Sequence, residues 1–319
     1  MIKIDLITGF LGAGKTTFIK KYVQYLKEQG MRVCILENDF GAVNVDMLLL
    51  QDIMDENCEL EMVAGGCDAD CHKRRFKTKL ISMGMRGFDR VLIEPSGVFD
   101  VDEFFDSLRE EPLERWYEIG NVIAIVDAKL ESELSEESEF LLASQIANAG
   151  TVLLSKRKEA DAADVAETVT HLNRAMERFG CPRRFTLEQH IIVKDWSELQ
   201  KEDYEAISDS GYRSENYRKL WFDQREAFQS LYFMHVRMTG ETLRETVALL
   251  LQDKTCGNII RVKGFILTEQ GQWFALNAVP DKISLKPVEK GQEVLIVIGE
   301  NMVEKAIAPY FTPYIVEDK

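Results

Sequence analysis

Short apolar runs alternate with amphipathic stretches along the first two thirds of the chain. Residues 2–7 (IKIDLI) form a β-branched run that leads into a glycine-rich turn, and apolar residues at helical spacing then predict a helix over 15–29. Residues 32–37 (RVCILE) predict the next strand. Because strand, helix and strand follow one another so closely, this stretch predicts a βαβ unit and a parallel sheet.

The same alternation continues to about residue 210. Further apolar runs predict strands, and the pattern of residues 161–178 predicts a helix between the last two of them. These runs are RVLIE at 90–94, NVIAIV at 121–126, TVLL at 151–154 and HIIV at 190–193. Strands that alternate with helices are typical of a doubly wound α/β sheet, so we predict a mostly parallel nucleotide-binding domain over residues 1–210.

Polar residues crowd together after this point, and a different pattern follows them. We predict a linker over 211–226 and a smaller C-terminal α+β domain over 227–319, with its helices packed on one sheet. The predicted strands are FQSLYFMHVRM, IIRVKGFIL, its hairpin partner GQWFALNAV, and VLIVIG, and the predicted helices are ETLRETVALLLQD and MVEKAIAPYF. The acidic run 131–139 (ESELSEESE) is expected to be a solvated helix face or loop.

Charge and cysteine content narrow the classes of function. The chain of 319 residues has 39 Lys and Arg against 54 Asp and Glu, and its formal charge of −15 repels phosphate backbones and anionic lipid. We therefore predict no nucleic-acid partner and no membrane partner. The sequence has neither a long apolar run nor a signal-peptide core, so we predict a cytoplasmic protein whose cysteines are free thiols or metal ligands.

A phosphate-binding loop is predicted between the first strand and the first helix. Residues 9–16 (GFLGAGKT) fit G-x-x-x-x-G-K-[ST] without a gap, in the strand-to-helix context that the motif requires. Lys15 can reach the β- and γ-phosphates as a catalytic group, and Thr16 can offer its hydroxyl to Mg²⁺. The helix N-terminus adds a partial positive charge. The predicted nucleotide contacts are Gly9, Gly12, Ala13, Gly14, Lys15, Thr16 and Thr17.

Two acidic residues at strand ends are predicted to complete this site. Glu94 begins the segment E-P-S-G, where a P-loop enzyme has a metal-organising carboxylate and a glycine, here Gly97, that senses the γ-phosphate. Asp39 follows the second strand. Because the carboxyl ends of parallel strands form the ligand edge of such a sheet, we predict catalytic roles for Glu94 and Asp39. Asp39 is also a candidate Mg²⁺ ligand, with a solvated surface position as its alternative.

Short segments along nearly the whole chain follow one another in the order of a known family. They are ITGFLGAGKTTF, ENDFGAVNVD, GGCDADC, LIEPSG, IVDA, LLSK, FQSLYF and IIRVKGFI. Together they resemble the CobW-like family of P-loop GTPases. The resemblance implies a metallochaperone that uses GTP and Mg²⁺ to deliver a metal ion or metallocofactor to a client protein. It also implies that the loop around Glu37 and Asp39 is the first switch.

One departure from the family concerns its metal motif, which is usually spelled Gly-Cys-x-Cys-Cys. Residues 66–72 read Gly-Cys-Asp-Ala-Asp-Cys-His, so one thiolate fewer is available. Two cysteines four residues apart can still meet on one tetrahedral ion, and mixed ligands leave Zn²⁺, Co²⁺ or Fe²⁺ open. Unmetallated thiols are the alternative. The predicted metal ligands are Cys67, Cys71, Glu37 and His72, with Asp70 as an alternative to His72.

The second departure concerns the loop that reads the base. GTPases of this kind use N-K-x-D, whose aspartate accepts hydrogen bonds from guanine, whereas residues 155–158 are Ser-Lys-Arg-Lys. Ser155 can replace the asparagine in part and Lys156 can stack its stem on the purine, but Lys158 offers donors where acceptors are needed. Glu159 could substitute if the loop shifts by one residue. GTP and ATP therefore both remain open.

Two other functions remain open from the sequence. A small-molecule kinase on the same sheet would phosphorylate an acceptor and need no metal besides Mg²⁺. A non-hydrolysing scaffold would bind a partner through the second domain. The sequence identifies neither the metal nor the client. Because it shows no obvious arginine finger, acceleration by the client or by a second copy of the chain is expected, and a homodimer stays open.

Overall fold

The structure, a computed structural model, describes residues 1–39, 49–64, 69–97, 101–222, 227–268 and 270–311, and for residues 39, 64, 69, 70 and 103 it describes the backbone alone. The chain divides into two compact units, Met1–Trp221 and Phe222–Lys319. Residues 211–221, which the sequence assigns to the linker, group with the first unit. For example, the Gly211 N–H donates to Asn121 Oδ1 over 2.7 Å. Within these described ranges, no helix is both long enough and apolar enough to span a bilayer.

The first unit is built on a sheet whose described strands all pair in parallel. The strands are β1 (Ile2–Thr8), β2 (Val33–Asp39), β3 (Cys58–Ala64), β4 (Arg90–Pro95), β5 (Tyr117–Asp127), β6 (Thr151–Ser155) and β7 (Ile191–Ile192). In the described part of the chain the sheet has seven strands in the order β3-β2-β4-β1-β5-β6-β7. The predicted parallel α/β class is confirmed.

Helices follow the strands, as the alternation predicts. They are α1 (Lys15–Glu28), α2 (Ala69–Gly84), α3 (Val101–Leu108), α4 (Leu113–Trp116), α5 (Glu136–Ala147), α6 (Ala162–Arg178) and α7 (Lys201–Ser208). The apolar stripe of α1, which includes Phe18 and Tyr22, packs with Ile7, Ile35 and Leu92 of the sheet in one core cluster. Burying each large side chain of this kind stabilises the fold by roughly 2 kcal/mol. Strand residues of opposite orientation, such as Leu6, Leu36 and Ile93, are also buried, so both faces of the sheet are covered.

Two regions of the first unit differ from what the sequence predicts. The strand β3 was not predicted because Glu59 and Glu61 interrupt its apolar residues; these acids pair with basic side chains, Glu59 with Arg32 at 2.6 Å and Glu61 with Lys79 at 2.8 Å. The prediction that the acidic run 131–139 is solvated is wrong for one residue. Glu139 is buried in α5, where His171 Nε2 lies 2.7 Å from its Oε1.

The second unit contains an antiparallel sheet and two helices among its described residues. The strands are β8 (Gln229–Met234), β9 (Asn258–Leu267), β10 (Trp273–Val279), β11 (Lys282–Val288) and β12 (Val294–Glu300), and the helices are α8 (Gly240–Gln252) and α9 (Glu304–Phe311). The strand order is β11-β10-β9-β12-β8. The predicted hairpin of β9 and β10 is confirmed. Apolar residues of both helices pack on one face of this sheet in a separate core cluster.

Candidate functional site

The loop between β1 and α1 has a backbone conformation that depends on glycine. Gly9 has φ 146° and Gly14, the residue before α1, has φ 98°. A Cβ on Gly9 would lie 2.3 Å from the carbonyl oxygen of Ile125, so the loop can close against β5 only without a side chain there. Gly12 is also left-handed, with φ 73°. The loop therefore has the compact shape that turns backbone N–H groups towards a phosphate.

The start of α1 concentrates hydrogen-bond donors at this loop. The Ala13 N–H donates to Phe10 O over 3.2 Å and tightens the turn. Lys15 is 6% exposed, and its Nζ donates to Gly9 O over 2.8 Å. The first backbone N–H groups of a helix, here those of Lys15, Thr16 and the exposed Thr17, have no acceptor within the helix. A buried ammonium and these amides suit a polyanionic ligand.

Thr16 and Glu94 meet in front of the phosphate loop. The Thr16 hydroxyl donates to Glu94 Oε1 over 2.8 Å, and Glu94 is buried at the end of β4. A hydroxyl and a carboxylate are ligands that Mg²⁺ prefers, so the pair fits this ion. Gly97 lies against the same loop, because a Cβ on it would be 2.6 Å from Leu11 N. Gln145 Nε2 of α5 donates to Gly97 O over 3.0 Å and holds the segment in place.

The end of β2 brings a second carboxylate to the same place. Glu37 is the register partner of Glu94 on the neighbouring strand, and both side chains are buried. Register partners in parallel strands project to the same face of the sheet. Glu37, predicted as a metal ligand, therefore lies beside the pair that fits Mg²⁺. Asp39 ends β2, but its side chain lies outside the described residues, so its predicted catalytic and Mg²⁺ roles stay predictions.

The segment with the altered metal motif is described only from its second half. Cys67 lies outside the described residues, as does the side chain of Asp70, whereas Cys71 and His72 lie in the first turn of α2. His72 is buried, and its Nε2 lies 2.7 Å from Asn38 Oδ1. An amide oxygen only accepts, so Nε2 carries the proton and Nδ1 is the nitrogen that a metal would use.

The metal ligand set therefore stays a prediction. Among the residues that the structure describes, no three His, Cys, Asp or Glu side chains are arranged to hold a metal ion. Cys67 lies outside those residues, so a site that uses it together with Cys71, His72 and Glu37 is taken up below as a proposal.

Hydrogen bonds connect this segment with the phosphate loop. Asn38, whose side chain accepts from His72, also accepts at its backbone oxygen from the Ser96 N–H over 2.9 Å. Ser96 precedes Gly97, which lies against Leu11 of the phosphate loop. Asn38 therefore connects the E-P-S-G segment with α2, the helix that carries Cys71, so a movement of this segment would change the contact with His72.

The predicted base-reading residues lie at the end of β6, beside the phosphate loop. Ser155 is buried, and its hydroxyl donates to Val126 O over 3.2 Å. Lys156 adopts a left-handed conformation with φ 53°, and its ammonium forms an ion pair with Asp127 at the end of β5. The Cβ of Ser155 lies 3.9 Å from the place where a Cβ on Gly14 would be. The end of β6 thus reaches the start of α1.

A second loop at this edge was not predicted as part of the site. After β7, the ring of Trp196 lies 2.9 Å from the Cβ position of Gly14, and its centroid is 5.9 Å from that of Phe18. Lys158 Nζ lies 3.0 Å from Asp195 Oδ1. Hydrogen bonds from the Ser197 hydroxyl and N–H, and then from Lys158, lower the pKa of Asp195 from 3.8 to about 2. The one sequence signal for this loop was its place after the predicted strand HIIV.

Comparison with known proteins identifies the family. Residues 3–180 match the family described as "CobW/HypB/UreG, nucleotide-binding domain". The chain belongs to the CobW/HypB/UreG family. The resemblance inferred from the motifs is confirmed, and the phosphate loop, E-P-S-G and the altered base-reading loop all lie within the part of the chain that matches the CobW/HypB/UreG domain.

Relatives within the family carry names that concern zinc. Zinc chaperone YjiA of Escherichia coli (strain K12) is 32% identical over 174 residues, which are 51% of this chain and 52% of YjiA. Zinc chaperone YeiR of the same organism is 31% identical over 157 residues, 49% of this chain and 47% of YeiR. The chain spans about half the length of these curated relatives. A crystal structure of Zn(II)-bound YjiA GTPase from E. coli aligns over 97% of this chain and 98% of that chain, with 19% identity and a TM-score of 0.36, which is too low to support a comparison.

Proposed function

We propose that the protein is a GTPase that delivers a metal ion or metallocofactor to a client protein. The observation that carries the proposal is the hydrogen-bonded connection from His72 through Asn38 to Ser96. It joins the segment with the altered metal motif to the residues that surround the phosphate loop. The names of YjiA and YeiR support Zn²⁺ as the first cargo to test, and Co²⁺ remains a second.

The residues at the phosphate loop fit hydrolysis of a nucleoside triphosphate. Lys15 would exchange the carbonyl of Gly9 for oxygens of the β- and γ-phosphates, and the amides at the start of α1 would bind the same groups. Thr16 and Glu94 would hold Mg²⁺, which supplies positive charge to the transferring phosphoryl group. Glu94 or Asp39 would orient the attacking water. These residues bind and orient, which is the main contribution that a protein makes to phosphoryl transfer.

The same contacts suggest how hydrolysis would act on the cargo. A γ-phosphate in the loop would meet Gly97, and its loss would let the E-P-S-G segment move. Because Ser96 donates to Asn38 and Asn38 accepts from His72, such a movement would change the position of the imidazole. Glu37, Cys71 and Cys67 would hold the ion together with His72. The affinity for the ion would then depend on the nucleotide state.

A binding experiment tests this coupling. The affinity of the full chain for Zn²⁺ and for Co²⁺ is measured by competition with a chromophoric chelator, in the presence of Mg²⁺ and either GDP or a non-hydrolysable GTP analogue. We expect the Zn²⁺ affinity to differ at least about fivefold between the two nucleotide states, a coupling of ordinary size for linked sites. Cys67→Ala and Cys71→Ala should each lower the Zn²⁺ affinity.

Matched asparagine variants make the test specific. Asn38→Ala removes the side-chain oxygen that accepts from His72 and keeps the backbone oxygen that accepts from Ser96. Because it breaks the connection without removing a predicted ligand, the Zn²⁺ affinity should become nearly equal in both nucleotide states. Asn173→Ala is the matched control. It removes an asparagine side chain outside the site, whose amide donates to Phe185 O over 2.9 Å, and the difference in Zn²⁺ affinity between the nucleotide states should remain. Equal Zn²⁺ affinity in both nucleotide states of the unmodified chain would contradict the proposal.

Location and partners follow from the proposed function as further expectations. We expect the protein to act in the cytoplasm and to meet a client metalloprotein rather than nucleic acid or a membrane. A homodimer stays a prediction, because two copies could supply to each other the arginine finger for which the sequence shows no obvious candidate. Sedimentation of the full chain with GDP and with the GTP analogue would test whether a second copy binds.

A further inference from the structure

The base-reading loop lacks a carboxylate where guanine recognition needs one. At the fourth position of this loop stands Lys158, which can only donate hydrogen bonds. Guanine offers N–H donors at N1 and at the exocyclic amine, and adenine offers an acceptor at N1. A guanine site therefore needs an acceptor near Lys158, and the candidates are the neighbouring Glu159 and any carboxylate that the fold brings to this loop.

The loop after β7 supplies such a carboxylate. Lys158 Nζ lies 3.0 Å from Asp195 Oδ1. The carboxylate therefore contacts the end of the side chain at the fourth position of the base-reading loop. The Ser197 N–H also donates to Oδ1, over 2.9 Å. Among the described residues, the hydrogen bonds and the ion pair of this carboxylate all fall on Oδ1, which leaves Oδ2 for a ligand. The Asp195 side chain is 20% exposed, so solvent and ligand can reach it.

The neighbouring Trp196 fixes this loop at the nucleotide end of the sheet. Its ring lies against Gly14, the residue that precedes α1, and against Phe18. The preceding residue, Asp195, is thereby held at the same end of the sheet.

We propose that Asp195 is the residue that selects guanine, and that it replaces the aspartate missing from the fourth position of the base-reading loop. The proposal rests on the proposed nucleotide site. Asp195 Oδ2 accepts from the N–H groups of guanine while Lys158 and Ser197 hold Oδ1, and the stem of Lys156 covers a face of the ring. Adenine loses binding because it presents its N1 lone pair to a carboxylate. The residue that selects the base therefore lies in the loop after β7 and not in the loop after β6.

Nucleotide titrations test the assignment. Dissociation constants of GDP, ADP and xanthosine diphosphate are measured calorimetrically with the full chain and Mg²⁺, for the unmodified protein, Asp195→Asn and Glu159→Gln. We expect the unmodified chain to bind GDP at least about tenfold more tightly than ADP. Asp195→Asn should weaken GDP about 10- to 100-fold, the usual effect of removing a charged hydrogen-bond acceptor. It should also strengthen xanthosine diphosphate, because the new amide donates to the additional carbonyl of xanthine.

The control variant removes the same charge from the competing residue. Glu159→Gln should leave all three affinities unchanged. A gain in xanthosine diphosphate affinity shows that Asp195→Asn is folded, and the asparagine Oδ1 can still accept from Ser197. If Asp195→Asn binds GDP like the unmodified chain, or if Glu159→Gln shows the loss instead, the assignment is overturned. Tight but equal binding of GDP and ADP by the unmodified chain overturns it too and leaves the nucleotide site standing. Binding of neither nucleotide overturns the proposed function itself.

Discussion

The phosphate loop and the base-reading loop lie at the same edge of one sheet, but they depend on different parts of the chain. The phosphate loop follows its motif residue by residue. Its proposed action depends on backbone N–H groups, whose positions are fixed by the backbone conformations of Gly9 and Gly14. The base-reading loop departs from its motif at Lys158, and the carboxylate of Asp195 from the loop after β7 lies beside it. A ligand that is bound by backbone N–H groups requires the conformation of one particular segment. A ligand that is bound by a side chain can be bound equally by a side chain from a neighbouring segment.

The largest effect is expected from Lys15→Ala, which removes the ammonium group proposed to bind phosphate. The proposed GTP hydrolysis should fall at least about 100-fold, measured as phosphate release, because this charge would stabilise the transferring phosphoryl group. Binding of inorganic tripolyphosphate should weaken as well. Lys20→Ala, also in α1, removes a lysine that pairs with Asp52 at the surface, and it should change neither quantity.

The same variant separates the alternative functions. A kinase would lose phosphorylation of its acceptor in Lys15→Ala, and a scaffold would keep its partner binding. Unchanged hydrolysis in Lys15→Ala would contradict the assignment of the phosphate loop.

A smaller effect is expected from Gly9→Ala, which tests the backbone half of the comparison. The new Cβ would lie 2.3 Å from Ile125 O at φ 146°, so the loop must shift. We expect a loss of roughly 2 to 4 kcal/mol in the free energy of unfolding, measured with urea, together with weaker tripolyphosphate binding.

Gly30→Ala is the matched control for this glycine. Gly30 has φ 77°, and a Cβ there would meet nothing within 4 Å. Gly30→Ala should therefore lower the free energy of unfolding by about 1 kcal/mol, the effect of backbone strain alone, and should bind tripolyphosphate normally. Equal losses in both variants would mean that contact with Ile125 does not shape the loop.

The smallest effect is expected from pH, which tests the side-chain half of the comparison. Hydrogen bonds from Ser197 and then Lys158 lower the pKa of Asp195 from 3.8 to about 2. The stabilisation from these contacts is therefore complete above 3.8 and is lost as the pH falls through about 2. The ratio of GDP to ADP affinity should stay constant between about pH 5 and pH 8. A ratio that falls across this range would point to a group other than Asp195.

The sequence predicts those parts of the molecule in which local pattern and structure agree. The helix α1 and the strands β1 and β4 are long, periodic and buried, so their apolar residues identify them. The strand β3 is a sheet edge whose acids pair with Arg and Lys, and such alternation resembles a polar loop. Glu139 was expected in solvent because its partner His171 is 32 residues away in the sequence.

The candidate site divides along the same line. Gly9, Lys15, Thr16, Glu94 and Gly97 are brought together by a motif and by strand order, both of which can be inferred from sequence. Contacts between distant side chains cannot be inferred in this way. Asn38 and His72 are 34 residues apart in the sequence, and Lys158 and Asp195 are 37 residues apart. No local pattern predicts such pairs, because they depend on how helices pack on the sheet.

The position of Trp196 against Gly14 also provides a built-in optical probe. Indole emission responds to the polarity and mobility of its surroundings, and this ring lies against Gly14 at the predicted phosphate loop. The chain has four tryptophans, the others being Trp116, Trp221 and Trp273. A version with phenylalanine at those three positions would contain a single emitter beside the phosphate loop. Its fluorescence would follow nucleotide arrival and departure in real time without a label.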